Sequence, residues 1–241
     1  MTSLKTCSET QLILFDLDGT LVNTLLEIAD AINDTLPAIY GVDVIENDLV
    51  QSWIGNGAAN LFKLALTHCG IQKANLQAEF DSSWPLFQQA YAKRCGTNSP
   101  PYPGVMECLS ALKKSGYRMA VLTNKESHFA EKVIDNNGMS PYFEAVIAGD
   151  TFDCKKPDPR VMSLTLEQLK LSASDVLFIG DSMIDIKTGV LAGIKTWAVS
   201  YGYNHGEFDT SEANSCQPER FIEDFHQLKK LLLAPDEKLS A

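Results

Sequence analysis

Leu12, Ile13, Leu14 and Phe15 form an unbroken apolar run that gives way at once to Asp16, Leu17, Asp18, Gly19 and Thr20. Such a run lacks the alternation of a half-solvated strand, so it predicts a central β-strand covered on both faces. Helical spacing follows. Leu25, Ile28, Ala29, Ile32, Leu36 and Ile39 share one face of a predicted helix, with Thr24 and Glu27 as a capping box at its start. Beyond Gly55, Asn56 and Gly57, a second helix is predicted from Ala58, Leu61, Phe62, Ala65 and Cys69. Leu76, Phe80, Trp84, Phe87 and Tyr91 predict a third, kinked or restarted at Pro85. Between residues 22 and 99 no strand pattern occurs, and the stretch closes in the loop-like CGTNSPPYPG.

After Pro103 the rhythm becomes helix and strand in alternation. A helix carrying Val105, Cys108, Leu109 and Leu112 closes at Gly116 and leads into the strand YRMAVLTN. A helix near 126–137, the strand EAVIAGD, a helix opened by Asp158 and Pro159, the strand DVLFIGDS, a helix near 184–192 and the strand IKTWAVS complete the series. Such alternation implies right-handed crossovers and a parallel sheet with helices on both faces. The predicted fold class is therefore α/β, a Rossmann-like three-layer core with a parallel sheet. Its first strand is separated from the rest by a helical insertion, which divides the chain into a discontinuous core, residues 1–22 and 100–241, and an inserted helical cap, residues 23–99.

Composition narrows the function. The 241 residues suit one α/β core with a smaller insertion. With 45% apolar and 21% charged residues and a mean hydropathy of −0.08, the chain has the make-up of a soluble globular protein. It has no apolar run approaching the ~18 residues of a spanning helix, and MTSLKTCSETQ has no signal-peptide core, so the expected location is the cytoplasm, away from membranes. A formal charge of −11 with scattered basic residues argues against nucleic acid as a partner. An anionic substrate would approach against this field, so a few local cations or a bound metal must attract it. Cys7, Cys69, Cys95, Cys108, Cys154 and Cys216 show no CxxC spacing and read as reduced structural thiols.

The chemistry lies at the strand ends. Asp16 and Asp18 follow the first strand, Thr123 and Asn124 the second, Lys155 and Lys156 lie just past the third, and Asp181 and Asp185 follow the fourth. In open α/β sheets this carboxyl rim is where ligands bind. Turn-making alone would favour Gly, Asn, Ser and Pro there. Two carboxylates as close as Asp16 and Asp18 repel each other unless a divalent cation, a shared proton or a metal-bridged anion compensates.

DLDGT at 16–20, LTN at 122–124, KKPDP at 155–159 and GDSMID at 180–185, in that order, resemble the four motifs of the haloacid dehalogenase superfamily of phosphohydrolases. The resemblance spans residues 11 to about 207, and the insertion after the first motif is similar to the family's smaller helical cap. Within the family, SWIGNGAANLFKLAL, TNKE and SYGYNHGE are similar to bacterial phosphoglycolate phosphatases. Two positions depart from the pattern: Asn23 replaces an acidic residue, and His205 an aromatic one.

The resemblance implies a phosphomonoesterase for a small phosphate ester, foremost 2-phosphoglycolate. Phosphate esters resist attack because the dianion repels nucleophiles and the leaving alkoxide is basic. Asp16, ionised at an ordinary pKa near ~3.9, would attack phosphorus to give an aspartyl phosphate. Asp18 would protonate the leaving oxygen and then deprotonate water. A hard cation, Mg²⁺, would sit on the Asp16 carboxylate, the Asp18 carbonyl and Asp181, with Asp185 supporting that shell. Thr123 Oγ and the amides of Asn124 and Gly19 would hold the phosphoryl group, with Lys156, which precedes Pro157 as in the family motif, offsetting its charge. Lys155 reads as solvated. The glycine loop at 55–57 opens a helix, so its N–H groups and Asn56 would take the substrate's carboxylate; the plainer alternative makes Asn56 an N-cap. Rival readings are a dehalogenase, which needs no second acid, a phosphomutase, and a non-catalytic phosphate- or metal-binding module. No pattern specifies an oligomeric state.

Overall fold

The computed structural model describes residues 10–203, Phe208 and residues 216–234. Among them, a parallel sheet runs β1 (Leu12–Phe15), β2 (Arg118–Leu122), β3 (Val146–Ile147), β4 (Val176–Gly180), β5 (Lys195–Val199) and β6 (Arg220–Ile222), in the spatial order β3-β2-β1-β4-β5-β6. β1 is central: Phe15 lies in register with Val121 on one side and Ile179 on the other. The strand order reverses beside β1, which is where doubly wound sheets open a crevice at their carboxyl ends.

The unbroken apolar runs follow from burial on both faces. Ile13, Phe15, Met119, Val121, Leu177 and Ile179 enter one apolar cluster with helices α5 (Val105–Lys114), α6 (Ser127–Asn136) and α9 (Phe225–Leu233). Their neighbours Leu12, Leu14, Ala120, Leu122, Val176 and Phe178 enter a second cluster with α7 (Arg160–Leu169). On that second face α8 (Met183–Leu191) lies against β5 through Ile186 and Ala198. Three layers result, as expected for this α/β class.

The helical insertion comprises α1 (Leu25–Tyr40), α2 (Asn47–Gln51), α3 (Ala58–His68) and α4 (Leu76–Arg94). Its apolar stripes join the first cluster, and aromatic rings form its spine: Phe62 stacks on Phe87 at 4.7 Å, and Tyr91 meets Phe129 of α6 at 4.5 Å. Phe62 is fully buried. α4 runs on through Pro85, where packing of Trp84 and Phe87 offsets the N–H bond that proline lacks.

The capping box expected at Thr24 and Glu27 does not form, because tertiary partners take both groups. Thr24 N–H donates to Tyr203 Oη at 2.6 Å, and Glu27 Oε2 accepts from Gly96 N–H at 2.8 Å. α2, β6 and α9 are elements the periodicity reading did not include. Cys69, Cys95, Cys108, Cys154 and Cys216 are free thiols; Cys7 and His205 lie outside the described residues. No helix among the described residues is long and apolar enough to cross a membrane.

Candidate active site

Asp16 continues β1 by one residue, its N–H donating to Ile179 O at 2.9 Å, so its side chain is held at the sheet's carboxyl rim. Lys156 reaches the same point from the loop after β3. Its Nζ lies 2.7 Å from Asp16 Oδ1 and 2.6 Å from Asp185 Oδ1, and it is 3% exposed. Asp185 comes from the first turn of α8, where Ser182 N–H and Oγ–H both donate to its Oδ2. Both Asp185 oxygens are thus occupied, as suits a supporting residue.

Asp181 ends β4. Thr20 Oγ–H donates to its Oδ1 at 3.2 Å, and Tyr203 N–H to its Oδ2 at 2.7 Å. Gly19 stands against it with φ +88°, where a Cβ would collide with the Asp181 carboxylate. This close approach, not a ligand contact, explains the glycine. The expectation that Gly19 N–H holds the phosphoryl group is corrected, because that N–H donates to Val22 O at 2.9 Å within its own turn.

Thr123 and Asn124 extend β2 to the rim and are buried. Asn124 Nδ2 donates to Lys156 O at 2.8 Å and to Gly55 O at 2.9 Å, linking the insertion's glycine loop to the sheet. Its Oδ1 is buried without a hydrogen-bond partner among the described residues.

Of the two expectations for Asn56, the N-cap one is corrected. Gly57, not Asn56, occupies the N-cap of α3, and Asn56 is exposed. Gly55, Gly57 and Ala58 line the cleft, while the Asn56 carbonyl accepts from Lys155 Nζ at 2.9 Å. Lys155 therefore holds the loop and Lys156 the nucleophile candidate.

One central residue escaped sequence reasoning. Lys125, 7% exposed, directs Nζ at both Asp18 oxygens, 3.0 and 3.1 Å away, and at Tyr91 Oη on α4. TNKE marked the position, but a lysine after a strand looks solvated until its distant partners are known.

The electrostatics follow from burial. Burial pushes the Asp16 carboxyl up to about 7, with Lys156 pulling it down and Asp185 pushing it further up. Asp181 is also raised, by burial and then by Asp185 and Asp16. For Lys156 burial favours the neutral form, but Asp16 and Asp185 outweigh it and hold the ammonium above its usual range. Lys125 is raised likewise: burial favours its neutral form, and Asp18, Cys95 and Glu27 together outweigh it.

Asp16, Asp181 and Asp185 place carboxylate oxygens within 4.8 Å of one another, all buried. If ionised, Asp16, Asp18, Asp181 and Asp185 exceed Lys125 and Lys156 by two negative charges, the deficit one divalent cation would balance. Hard oxygen donors suit such an ion, so the residues present fit a metal. A cleft beside this cluster is walled by Ile28, Ile54, Leu61, Phe87, Tyr91 and Phe129.

Residues 13–199 match the family model for haloacid dehalogenase-like hydrolases. The chain is 37% identical over 222 residues to a phosphoglycolate phosphatase of Pseudomonas syringae pv. tomato, covering 90% of this chain and 78% of that protein. It is 35% identical over 229 residues to a phosphoglycolate phosphatase of Psychrobacter arcticus, covering 92% and 96%. The crystal structure of a predicted phosphoglycolate phosphatase from Haemophilus somnus 129PT superposes with a TM-score of 0.82 at 32% identity, over 92% of this chain and 98% of that one.

Proposed function

Because the chain belongs to the haloacid dehalogenase-like hydrolases, we propose that it is a Mg²⁺-dependent cytoplasmic phosphatase that hydrolyses 2-phosphoglycolate to glycolate and phosphate. The observation that carries the reading is the rim itself. Asp16, Lys156 and Asp185 are hydrogen-bonded there within one buried cluster that also holds Asp181, with Asp18 and Thr123 lining the adjoining cleft. The names of the relatives favour phosphoglycolate among small phosphate esters.

In this reading Asp16 attacks phosphorus. A bond forms from its carboxylate oxygen to phosphorus, the bond from phosphorus to the glycolate oxygen breaks, and Asp18 delivers a proton to that oxygen. Asp18, now a carboxylate, takes a proton from water, whose oxygen displaces Asp16 and releases phosphate. Lys156 Nζ holds Asp16 Oδ1 in place and offsets charge on the phosphoryl oxygens. Thr123 Oγ and the Asn124 backbone N–H, at the end of β2, orient that group. When bound to Asp16 and Asp181, Mg²⁺ supplies electrostatic stabilisation of the phosphoryl charge. Helices α1–α4 act as a cap domain, with the loop at 55–57 closing the cleft.

Phosphate release should be measured with Mg²⁺ or with chelator, against phosphoglycolate, hexose phosphates, nucleotides and pyrophosphate. Phosphoglycolate should give the highest kcat/KM, and Asp16→Asn should lower kcat by at least about 10⁴-fold while still binding substrate. Isomerised hexose phosphate without free phosphate would replace hydrolase by mutase, and an active Asp16→Asn enzyme would refute the nucleophile.

A further inference from the structure

The whole chain carries a formal charge of −11, yet the substrate proposed above is an anion at both ends. The metal cluster and Lys156 account for the phosphoryl end. The glycolate carboxylate must lie in the cleft whose wall is Ile28, Ile54, Leu61, Phe87, Tyr91 and Phe129. A carboxylate against such a wall without a partner would be expelled. Among the described residues lining this cleft, Lys125 is the only cation. Its other charged lining residues are Asp16, Asp18 and Glu126, which would repel the substrate.

We propose that Lys125 is the specificity-determining residue for the carboxylate of the leaving group, and that it trades Asp18 for that carboxylate when substrate binds. The inference rests on the phosphoglycolate reading. An ammonium has three donors. Lys125 Nζ is within hydrogen-bond reach of Asp18 Oδ1 and Oδ2, at 3.0 and 3.1 Å, and of Tyr91 Oη. Lys125 therefore has no donor to spare for a ligand until Asp18 lets go. A substrate carboxylate is the chemical equivalent of the group it replaces, and Tyr91, from α4, stays in place on the ammonium. The same cleft wall includes Gly57 and Ala58 at the N-terminus of α3, whose dipole also favours a carboxylate there.

The exchange joins recognition to readiness. Asp18 is engaged through both oxygens by Lys125; released, it is free to turn to the leaving oxygen. An ester without a carboxylate cannot displace Asp18 and leaves it held. Selectivity therefore arises in turnover as well as in binding.

The test compares phosphoglycolate with 2-hydroxyethyl phosphate, which has a neutral CH₂OH in place of the carboxylate. In Lys125→Met, kcat/KM for phosphoglycolate should fall about 10–100-fold, the worth of one lost charge-assisted contact. Hydroxyethyl phosphate should hold its rate or gain, because Asp18 is no longer held. Tyr91→Phe, whose ring keeps its contacts with Phe87 and Phe129, should shift the same ratio in the same direction by several-fold, and it serves if Lys125→Met does not fold. Equal losses on both esters in a folded variant would assign Lys125 to Asp18 alone and overturn the proposal while leaving the phosphoglycolate reading intact. A wild-type enzyme indifferent to the carboxylate would overturn both.

Discussion

Lys156→Met in the chelated protein isolates the charge balance of the rim. Methionine matches the stem of the side chain but removes the ammonium that lies 2.7 Å from Asp16 and 2.6 Å from Asp185. Breaking a buried pair by deleting one partner costs about 3–5 kcal/mol, against a total stability of roughly 5–15 kcal/mol. For a chain of this length that is a fall in Tm of about 6–20 °C. Protonation limits the loss. The Asp16 carboxyl, already pushed up to about 7 with Lys156 present, must rise further without it. A carboxyl with a raised folded-state pKa binds more protons folded than unfolded, so its contribution to stability is present at low pH and is lost as pH climbs through the folded pKa. The gap between variant and wild type should therefore be small at pH 6 and open above about 7. Urea unfolding in chelator at pH 6 and pH 8, followed by circular dichroism, measures it. Mg²⁺ should restore part of the loss at pH 8 by replacing one cation with another. A gap below about 1 kcal/mol at pH 8, within the range of an exposed ion pair, or one equal at both pH values, would refute the view that Lys156 compensates buried carboxylates.

Two further substitutions probe the parts around this centre. Gly19→Ala places a Cβ against the Asp181 carboxylate at a φ of +88°. It should cost about 1–3 kcal/mol of stability and weaken Mg²⁺ binding measured by calorimetry; unchanged affinity would mean that Asp181 does not hold the ion. Lys155→Ala removes the hydrogen bond to Asn56 O on the glycine loop. Stability should stay within about 0.5 kcal/mol, with KM raised a few-fold and kcat nearly kept. Collapse of kcat would instead make Lys155 the lysine of the reaction.

What the chain shows on inspection and what it hides divide along the range of the interactions involved. Leu12 to Phe15 declare a doubly covered strand because burial on both faces acts on consecutive residues, and their alternate side chains do enter opposite clusters. The rim residues follow from the same strands, since each apolar run ends where its polar group begins. Lys156 could be distinguished from Lys155 only by resemblance, yet the two have opposite surroundings, one buried between carboxylates and one bonded to a loop carbonyl. Thr24 looked like a cap because capping is local; Tyr203, 179 residues later, takes its N–H instead. Lys125 was hidden for the same reason, its partners Asp18 and Tyr91 standing 107 and 34 residues away. Proton affinities are hidden more deeply still. The pKa of Asp16 depends on depth of burial and on Asp185, neither of which is a property of the DLDGT motif. A motif can therefore bring the reacting groups to one rim, but their charge states depend on which cations the rest of the fold delivers there. In this protein those include Lys125 and Lys156, and the buried carboxylates beside them fit a further cation.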